Sequence, residues 1–254
     1  MVVALFSLLV ASLFPSFAFA FPNGAGSCPG GRSAVGGFHV NPETTNRRVI
    51  TGSLSDGGLK LEIHGVTVSE NSSLSLPIKT DLNWTLSVTP GYRPFRGFLL
   101  RVNGGENEVD TRDALLPPNE DDNATQKLAI CNFYQEVGGL THTNNLEKNQ
   151  VSGIFRLDEP SNRIALDVTV VVENRLHSSV SYYSGHQLDF LPALQTVEYC
   201  NATNPCGLCM GDCNSNEDCK NDNECYRRTG DDASPVPGCF GAGVAGNNTR
   251  FIFV

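Results

Sequence analysis

The sequence predicts an all-β protein, an antiparallel two-sheet β-sandwich followed by a small disulfide-rich module at the carboxyl end. Two observations predict the sandwich. Apolar and polar residues alternate at a period of two, most clearly in Ile164–Val172, where every second side chain is Ile, Leu or Val. Turn residues separate such stretches, and no window has a helical apolar period with caps at both ends. The module is predicted because seven of the nine cysteines fall between Cys200 and Cys239.

The composition is that of a folded protein with an acidic surface. Of 254 residues, 40% are hydrophobic and 18% are charged, and the formal net charge is −9. Nucleic acids and anionic membrane surfaces both attract clustered Lys and Arg, which this chain lacks. The charge balance therefore disfavours both partners.

The amino-terminal segment predicts export. Met1–Ala20 is apolar nearly throughout and ends in Ala18-Phe19-Ala20, the small-x-small pattern that signal peptidase accepts. The segment has no Lys or Arg near its start, so an uncleaved membrane anchor stays open as the alternative. No second run of 18 apolar residues follows, and we expect a secreted, extracellular chain without a membrane span after cleavage.

In an oxidising compartment, cysteines are expected to form disulfides. Their number is odd, which leaves one thiol free or bonded to a second chain in a disulfide-linked dimer. The predicted half-cystines are Cys28, Cys131, Cys200, Cys206, Cys209, Cys213, Cys219, Cys225 and Cys239. Five Asn-x-Ser/Thr triplets predict N-glycosylation at Asn71, Asn83, Asn123, Asn201 and Asn247.

The first part of the mature chain alternates between irregular and extended segments. Phe21–Gly37 is rich in Gly and Pro, which precludes regular structure. Val49–Thr51 and Leu61–Val68 are predicted strands, the second bulged at Gly65, where the apolar phase slips by one residue.

Asp81–Val102 is the stretch around which the sandwich is predicted to form. Leu82, Trp84, Leu86 and Val88 share one face of a strict alternation, which places Asn83 on the solvent face. Thr89–Tyr92 contains Pro and Gly and predicts a turn, after which Phe98, Leu100 and Val102 resume the period. We therefore expect a hairpin-like pair of strands.

Four segments follow before the strand at Ile164. Gly104–Thr125 is acidic and contains two prolines, which predicts a surface loop. Leu128–Tyr134 is an apolar segment that holds one cysteine, Thr141–Lys148 is polar turn material, and Val151–Leu157 is a predicted strand. The predicted organisation is a signal peptide at 1–20, a sandwich domain at 21–176, a linker at 177–199 and a cysteine-rich module at 200–254.

Three segments together resemble the reeler domain, the module first defined at the amino terminus of reelin. They are PFRGFLLRV (Pro94–Val102), LTHTNNLEKNQVSGIFRLDEP (Leu140–Pro160) and IALDVTVVV (Ile164–Val172), in the order and spacing of that family. The resemblance covers residues 27–172. It implies an immunoglobulin-like β-sandwich in an extracellular protein, no catalytic residue set, and a disulfide between Cys28 and Cys131. The long acidic insertion before Cys131 and the weak match around His39 depart from the family pattern.

Candidate metal sites are weak in this sequence. Cys206-x-x-Cys209 has spacing that suggests zinc or a redox pair in a cytosolic protein, but the signal segment favours structural disulfides. Asp212–Asp218 alternates oxygen-bearing side chains as a calcium loop does, although Glu217 and Asn223 stand where an EF-hand needs Gly and Glu. A calcium site of another type stays open there. No zinc-type grouping occurs among His39, His64, His142, His177 and His186.

The sequence thus predicts a non-catalytic extracellular protein without a cofactor. Its expected partner is an extracellular protein or glycan, bound in adhesion, matrix or surface recognition. Two alternatives stay open: a defence-associated or metal-reductase-linked ectodomain protein, and a hydrolase inhibitor built on the cysteine-rich module. No nucleophile motif and no distinguishable pair of catalytic carboxylates supports an enzyme.

Overall fold

The computed structural model describes residues 50–70, 73–104, 110–119, 124–127, 138–175, 178–195, 200–211, 213–221, 223–227, 235–241 and 250–253. The predicted signal segment and Gly-rich arm lie outside these residues. So do Cys28, Cys131 and the glycosylation triplets' Asn71, Asn123 and Asn247. The described part forms two large β-sheets and a small third one.

Strands dominate the described residues, and two short 3-10 helices interrupt them. The elements in chain order are β1 (Ile50–Gly52), η1 (Ser55–Gly57), β2 (Leu59–Ile63), β3 (Val66–Thr67), β4 (Ser73–Pro77), β5 (Leu82–Val88), β6 (Gly97–Asn103), β7 (Leu115–Leu116), β8 (Thr125–Lys127), β9 (Gly138–His142), β10 (Gln150–Phe155), β11 (Ser161–Arg175), β12 (Ser178–Leu191), η2 (Asn216–Asp218), β13 (Glu224–Arg227) and β14 (Arg250–Phe253).

The first sheet has five strands in the order β3-β2-β5-β10-β7, all antiparallel to their neighbours. Its central strand β5 buries Leu82, Trp84 and Leu86 completely and leaves Asn83 exposed, as the alternation predicts. Trp84 pairs with Gly153 of β10, where a Cβ atom would lie 2.7 Å from the indole ring. The glycine therefore makes room for the largest side chain of the core.

The second sheet has seven strands, with the path β1-β12-β11-β6-β9-β8 and with β4 also on β12. Its centre is a long antiparallel hairpin of β11 and β12. Both β1 and β4 run parallel to β12, so this sheet is mixed at one edge, whereas its other strand pairs are antiparallel. The β-sandwich itself and the disulfide-rich module are confirmed.

The two sheets pack through one apolar core. Phe98 of β6 is fully buried and contacts Phe95, Trp84 and His142, with ring centroids 6.1–6.4 Å apart. Phe155 and Phe190 form a second edge-to-face pair at 5.0 Å. Aromatic pairs of this kind stabilise a core beyond the area that they bury.

The predicted hairpin of Asp81–Val102 is wrong. β5 belongs to the five-stranded sheet, whereas β6 lies between β11 and β9 in the seven-stranded sheet. The segment between them therefore carries the chain across the sandwich. Both edges of β6 are hydrogen-bonded, one to β11 and the other to β9, so no edge is left to pair with β5.

Two smaller predictions also differ from the structure. Leu61–Val68 is not one bulged strand, because His64 and Gly65 adopt positive φ values of 52° and 76° and turn the chain into the β2–β3 hairpin. The polar turn predicted at Thr141–Lys148 begins later, since Thr141 and His142 belong to β9 and pair with β6 and β8. Leu115 and Leu116 in the predicted acidic loop form β7.

The predicted linker at 177–199 is wrong over most of its length. Ser178–Leu191 is β12, which pairs with three strands of the sandwich. After β12, Leu194 N donates to Phe240 O at 2.9 Å, and Gln195 N donates to Cys209 O at 2.9 Å. Backbone hydrogen bonds thus join residues that follow β12 to the module, within the segment that was predicted to be a linker.

The cysteine-rich module contains three disulfides, Cys200–Cys206, Cys209–Cys239 and Cys213–Cys225. Its strands β13 and β14 form a two-stranded antiparallel sheet. Its apolar clusters are small, and half-cystines make up most of the buried residues in them. No helix in the described part of the chain is long and apolar enough to cross a membrane.

Candidate ligand-binding cleft between the sheets

A cleft of about 500 Å³ opens between the two sheets near β2 and β12. One wall is apolar and consists of Leu54, Leu59, Leu61 and Val68, all of which are buried. The opposite wall is the inner face of β12, where Ser184 and His186 line the cleft. Concave sites with apolar walls and a few convergent polar groups are typical of small-molecule binding.

Ser184 and His186 form a buried polar pair at the base of the cleft. They are two residues apart on one strand, so their side chains point to the same face. Ser184 Oγ lies 2.6 Å from His186 Nε2, and His186 Nδ1 lies 3.3 Å from the backbone oxygen of Ser69. Because a carbonyl oxygen only accepts hydrogen bonds, Nδ1 carries the ring proton and Nε2 accepts from the serine hydroxyl.

The environment keeps this imidazole neutral. Burial lowers the pKa of His186, and this effect outweighs the Ser69 carbonyl and the carboxylates of Glu70 and Asp167, which act in the opposite direction. At neutral pH the ring is therefore a hydrogen-bonding group without charge.

The pair is arranged for binding more than for acyl transfer. In serine hydrolases a carboxylate orients the imidazole at the nitrogen distal to the serine. Here a backbone carbonyl occupies that position. Ser184 Oγ donates to His186 Nε2 and keeps lone pairs that can accept a hydrogen bond from a ligand in the cleft that this residue lines.

The rim of the cleft combines an aromatic ring with opposite charges. Tyr92 lies against Gly58, where a Cβ atom would approach the ring to 2.1 Å and where φ is +65°. A glycine is therefore required at this position. Lys60 pairs with Glu62 at 2.9 Å, and Glu70 adds a second carboxylate on the other side.

The other residues singled out from the sequence lie elsewhere. Six of the seven clustered cysteines form the module's disulfides, and Cys219 is a free thiol that is partly buried. Cys206 and Cys209 have separate partners, so they form neither a dithiol nor a redox pair. Among the described residues no group of three His, Cys, Asp or Glu side chains could hold a metal ion.

Asp218 of the predicted calcium loop has a structural role. Its Oδ2 atom accepts hydrogen bonds from the backbone nitrogens of Asn214 and Ser215, at 2.7 and 3.1 Å, and caps η2. Asp212 lies outside the described residues. The carboxylate that was a candidate cation ligand thus already holds the turn.

His142 ties two strands together. Its Nδ1 atom lies 3.2 Å from the backbone nitrogen of Phe98, and the ring is buried in β9 against the Phe98 ring. This contact links β9 to β6. Asn83 and Asn201, two predicted glycosylation sites, are exposed.

The sequence reasoning missed the Ser184–His186 pair. Ser184 lies outside any Gly-x-Ser-x-Gly motif, and His186 belongs to no metal-ligand grouping in the sequence. The available signal was Ser-x-His on a strand that continues with Leu188 and Phe190 on the same face. Two polar residues on a core-facing row require partners or a ligand.

Comparisons with protein-family models and with curated proteins found no match. Two solved structures of the human F-spondin reeler domain are similar to this chain. One has a TM-score of 0.38 and 18% identity, and covers 57% of this chain and 94% of that one. The other has a TM-score of 0.33 and 18% identity, and covers 51% and 93%. Both are structures of the module that the motifs within residues 27–172 resemble.

Proposed function

We propose that this is a secreted, N-glycosylated, non-catalytic protein whose β-sandwich recognises an extracellular protein or glycan in adhesion, matrix or surface recognition. The observation that carries the proposal is the set of three disulfides in a module with little apolar core. Such cross-links persist in oxidising compartments, outside the cytosol.

The geometry of the sandwich supports a binding function better than a catalytic one. The buried pair of Ser184 and His186 has a backbone carbonyl where a hydrolase places a carboxylate. Asn83 lies on the solvent face of β5. A glycan attached there would extend into solvent, away from the core.

Mass spectrometry of the full chain, expressed through the secretory pathway of a eukaryotic cell, tests this proposal. We expect protein in the medium that begins at Phe21, carries glycans, and has the three module disulfides intact. The variant Asn83→Gln should lose one glycan, whereas Asn149→Gln, at an asparagine outside any acceptor triplet, should lose none. Cytosolic retention with reduced cysteines and bare asparagines would overturn the proposal.

The odd cysteine sets the expected oligomeric state. Burial, with a smaller effect from Asp218, raises the pKa of the Cys219 thiol, which disfavours the reactive thiolate. We therefore expect Cys219 to stay a thiol and the secreted chain not to form disulfide-linked dimers. Identical migration of the wild type and Cys219→Ser on a non-reducing gel would agree, and a dimer band that disappears in the variant would contradict it.

A further inference from the structure

We propose that the cleft between the sheets binds a small uncharged amphiphile, an aliphatic molecule whose alcohol head donates a hydrogen bond to Ser184. This site goes beyond the recognition of an extracellular protein or glycan, and it is independent of it.

The walls fit an aliphatic body. Leu54, Leu59 and Leu61 line the cleft on one side, and Val68 and the ring of Tyr92 extend the apolar surface toward the mouth. The volume of about 500 Å³ lies within the range of roughly 300–1,000 Å³ that is typical of small-molecule sites. Burial of an alkyl chain against these side chains supplies the affinity.

The hydrogen-bond inventory at the base selects the head group. The Ser184 hydroxyl donates its proton to His186 Nε2, and the ring N–H faces the Ser69 carbonyl. Both donors of the pair are therefore engaged, and what remains are the lone pairs of Ser184 Oγ. A ligand must consequently donate, as an alcohol does and a carboxylate does not.

The charges at the cleft exclude an ionised head. Glu70 lies at the rim and repels an anion, while the one nearby cation of the lining, Lys60, is paired with Glu62. A cationic head would have to leave water to reach a neutral imidazole and a hydroxyl oxygen, which do not replace its hydration. An uncharged head group is not repelled by Glu70 and does not lose the hydration of a charge.

The buried position of the pair is itself an argument for a ligand. Ser184 is 3% and His186 is 6% exposed, although Leu188 and Phe190 on the same row of β12 show that this face is built for apolar contacts. Ser184 Oγ has one hydrogen-bond partner, His186 Nε2, and keeps acceptor capacity for a further hydrogen bond. A donor that enters through the cleft provides one.

Calorimetric titration of the full mature chain with n-decanol and with decanoate tests the proposal. We expect n-decanol to bind and decanoate to bind at least about tenfold more weakly. Ser184→Ala removes the acceptor and should weaken n-decanol binding by about tenfold. The matched control is Ser181→Ala, because Ser181 lies on the same strand with similar burial but does not line the cleft.

A second variant keeps the test decisive if Ser184→Ala perturbs the fold. Thr67→Trp, at an exposed residue of the lining, narrows the mouth without touching the polar pair, and should weaken n-decanol binding while the melting temperature is unchanged. Absence of n-decanol binding, equal binding of decanoate, or unchanged affinity in Thr67→Trp would overturn the proposal. None of these outcomes affects secretion or glycosylation, which the mass spectra report separately.

Discussion

The sandwich and the cysteine-rich module are held together in different ways. The sandwich has a single core of apolar side chains from two sheets, in which Trp84, Phe98 and Phe155 are fully buried. The module has two small clusters that depend on Ile252 and Phe251 together with half-cystines. Every disulfide among the described residues lies in the module.

The difference follows from the number of residues available for a core. Small units bury too small a fraction of their surface to offset the conformational entropy lost on folding, so cross-links that restrict the unfolded chain must contribute. The two parts should therefore respond to different perturbations: the sandwich to lost apolar volume, and the module to lost cross-links.

The largest effect is expected from truncation of the sandwich core. Phe98→Ala removes a fully buried ring that contacts three other rings and should lower the free energy of unfolding by about 3–5 kcal/mol. Denaturant titration followed by the single tryptophan, Trp84, measures it. Leu146→Ala, at a side chain that is 68% exposed, is the matched control and should cost little. A loss for Phe98→Ala as small as that of the control would refute the role given to the core.

Removal of single disulfides sharpens the comparison within the module. In the loop-entropy account the stabilisation grows with the length of the closed loop, and the separations are 30 residues for Cys209–Cys239 and 6 for Cys200–Cys206. Double Ala variants should therefore cost the module about 4 and about 2 kcal/mol, respectively. Hydrogen exchange of β13 and β14 measures this, and the exchange of β11 should not change. The reverse order of the two variants would contradict the account.

The next largest loss of stability is expected from replacement of a buried lysine, Lys148. Lys148 Nζ lies 2.7–3.3 Å from the backbone oxygens of Leu146, Asn144 and Arg96, and so ties the loop between β9 and β10 to the segment before β6. Lys148→Met should cost about 2 kcal/mol because it removes the ammonium donor from these carbonyls. The exposed Lys60→Met is the control for thermal melts. An unchanged melting temperature for Lys148→Met would show that water replaces the ammonium at no cost.

The smallest effect expected is the pH response of the sandwich. Because burial lowers the pKa of His186, the unfolded chain takes up this proton first as the pH falls below about 6.5. The contribution of the neutral ring is fully present above that value and is lost as the pH falls through the lower pKa of the folded state. His186→Gln should reduce the loss of stability between pH 7 and pH 5. Parallel pH profiles for the wild type and His186→Gln would contradict the assignment.

Local patterns predicted the strands well and their partners less well. Ile164–Val172 lies within β11, and the alternation around Trp84 gave the buried face of β5 correctly. The alternation says nothing about which strands pair, so β5 and β6 were expected to form a hairpin although they belong to different sheets. Strand pairing depends on contacts between residues far apart in the chain. The local alternation of apolar and polar residues does not report these contacts.

The sequence patterns failed to predict β12 and the Ser184–His186 pair for the same reason. The inner row of β12 continues the apolar pattern at Leu188 and Phe190, but Ser184 and His186 interrupt it. Polar residues on a core face weaken the signal of a strand, and the segment therefore resembled a linker. The same two polar residues form the base of the cleft. The candidate site therefore lies where the sequence departs from the apolar pattern of the strand.

The position of β12 just before the module has a mechanical consequence. A pull on the carboxyl-terminal part of the chain would reach the sandwich through β12. That strand is bonded laterally to β11 over most of its length and to β4 beside it. Tension would load these bonds together in shear, and we expect single-molecule pulling to show the sandwich yielding at a high force in one step.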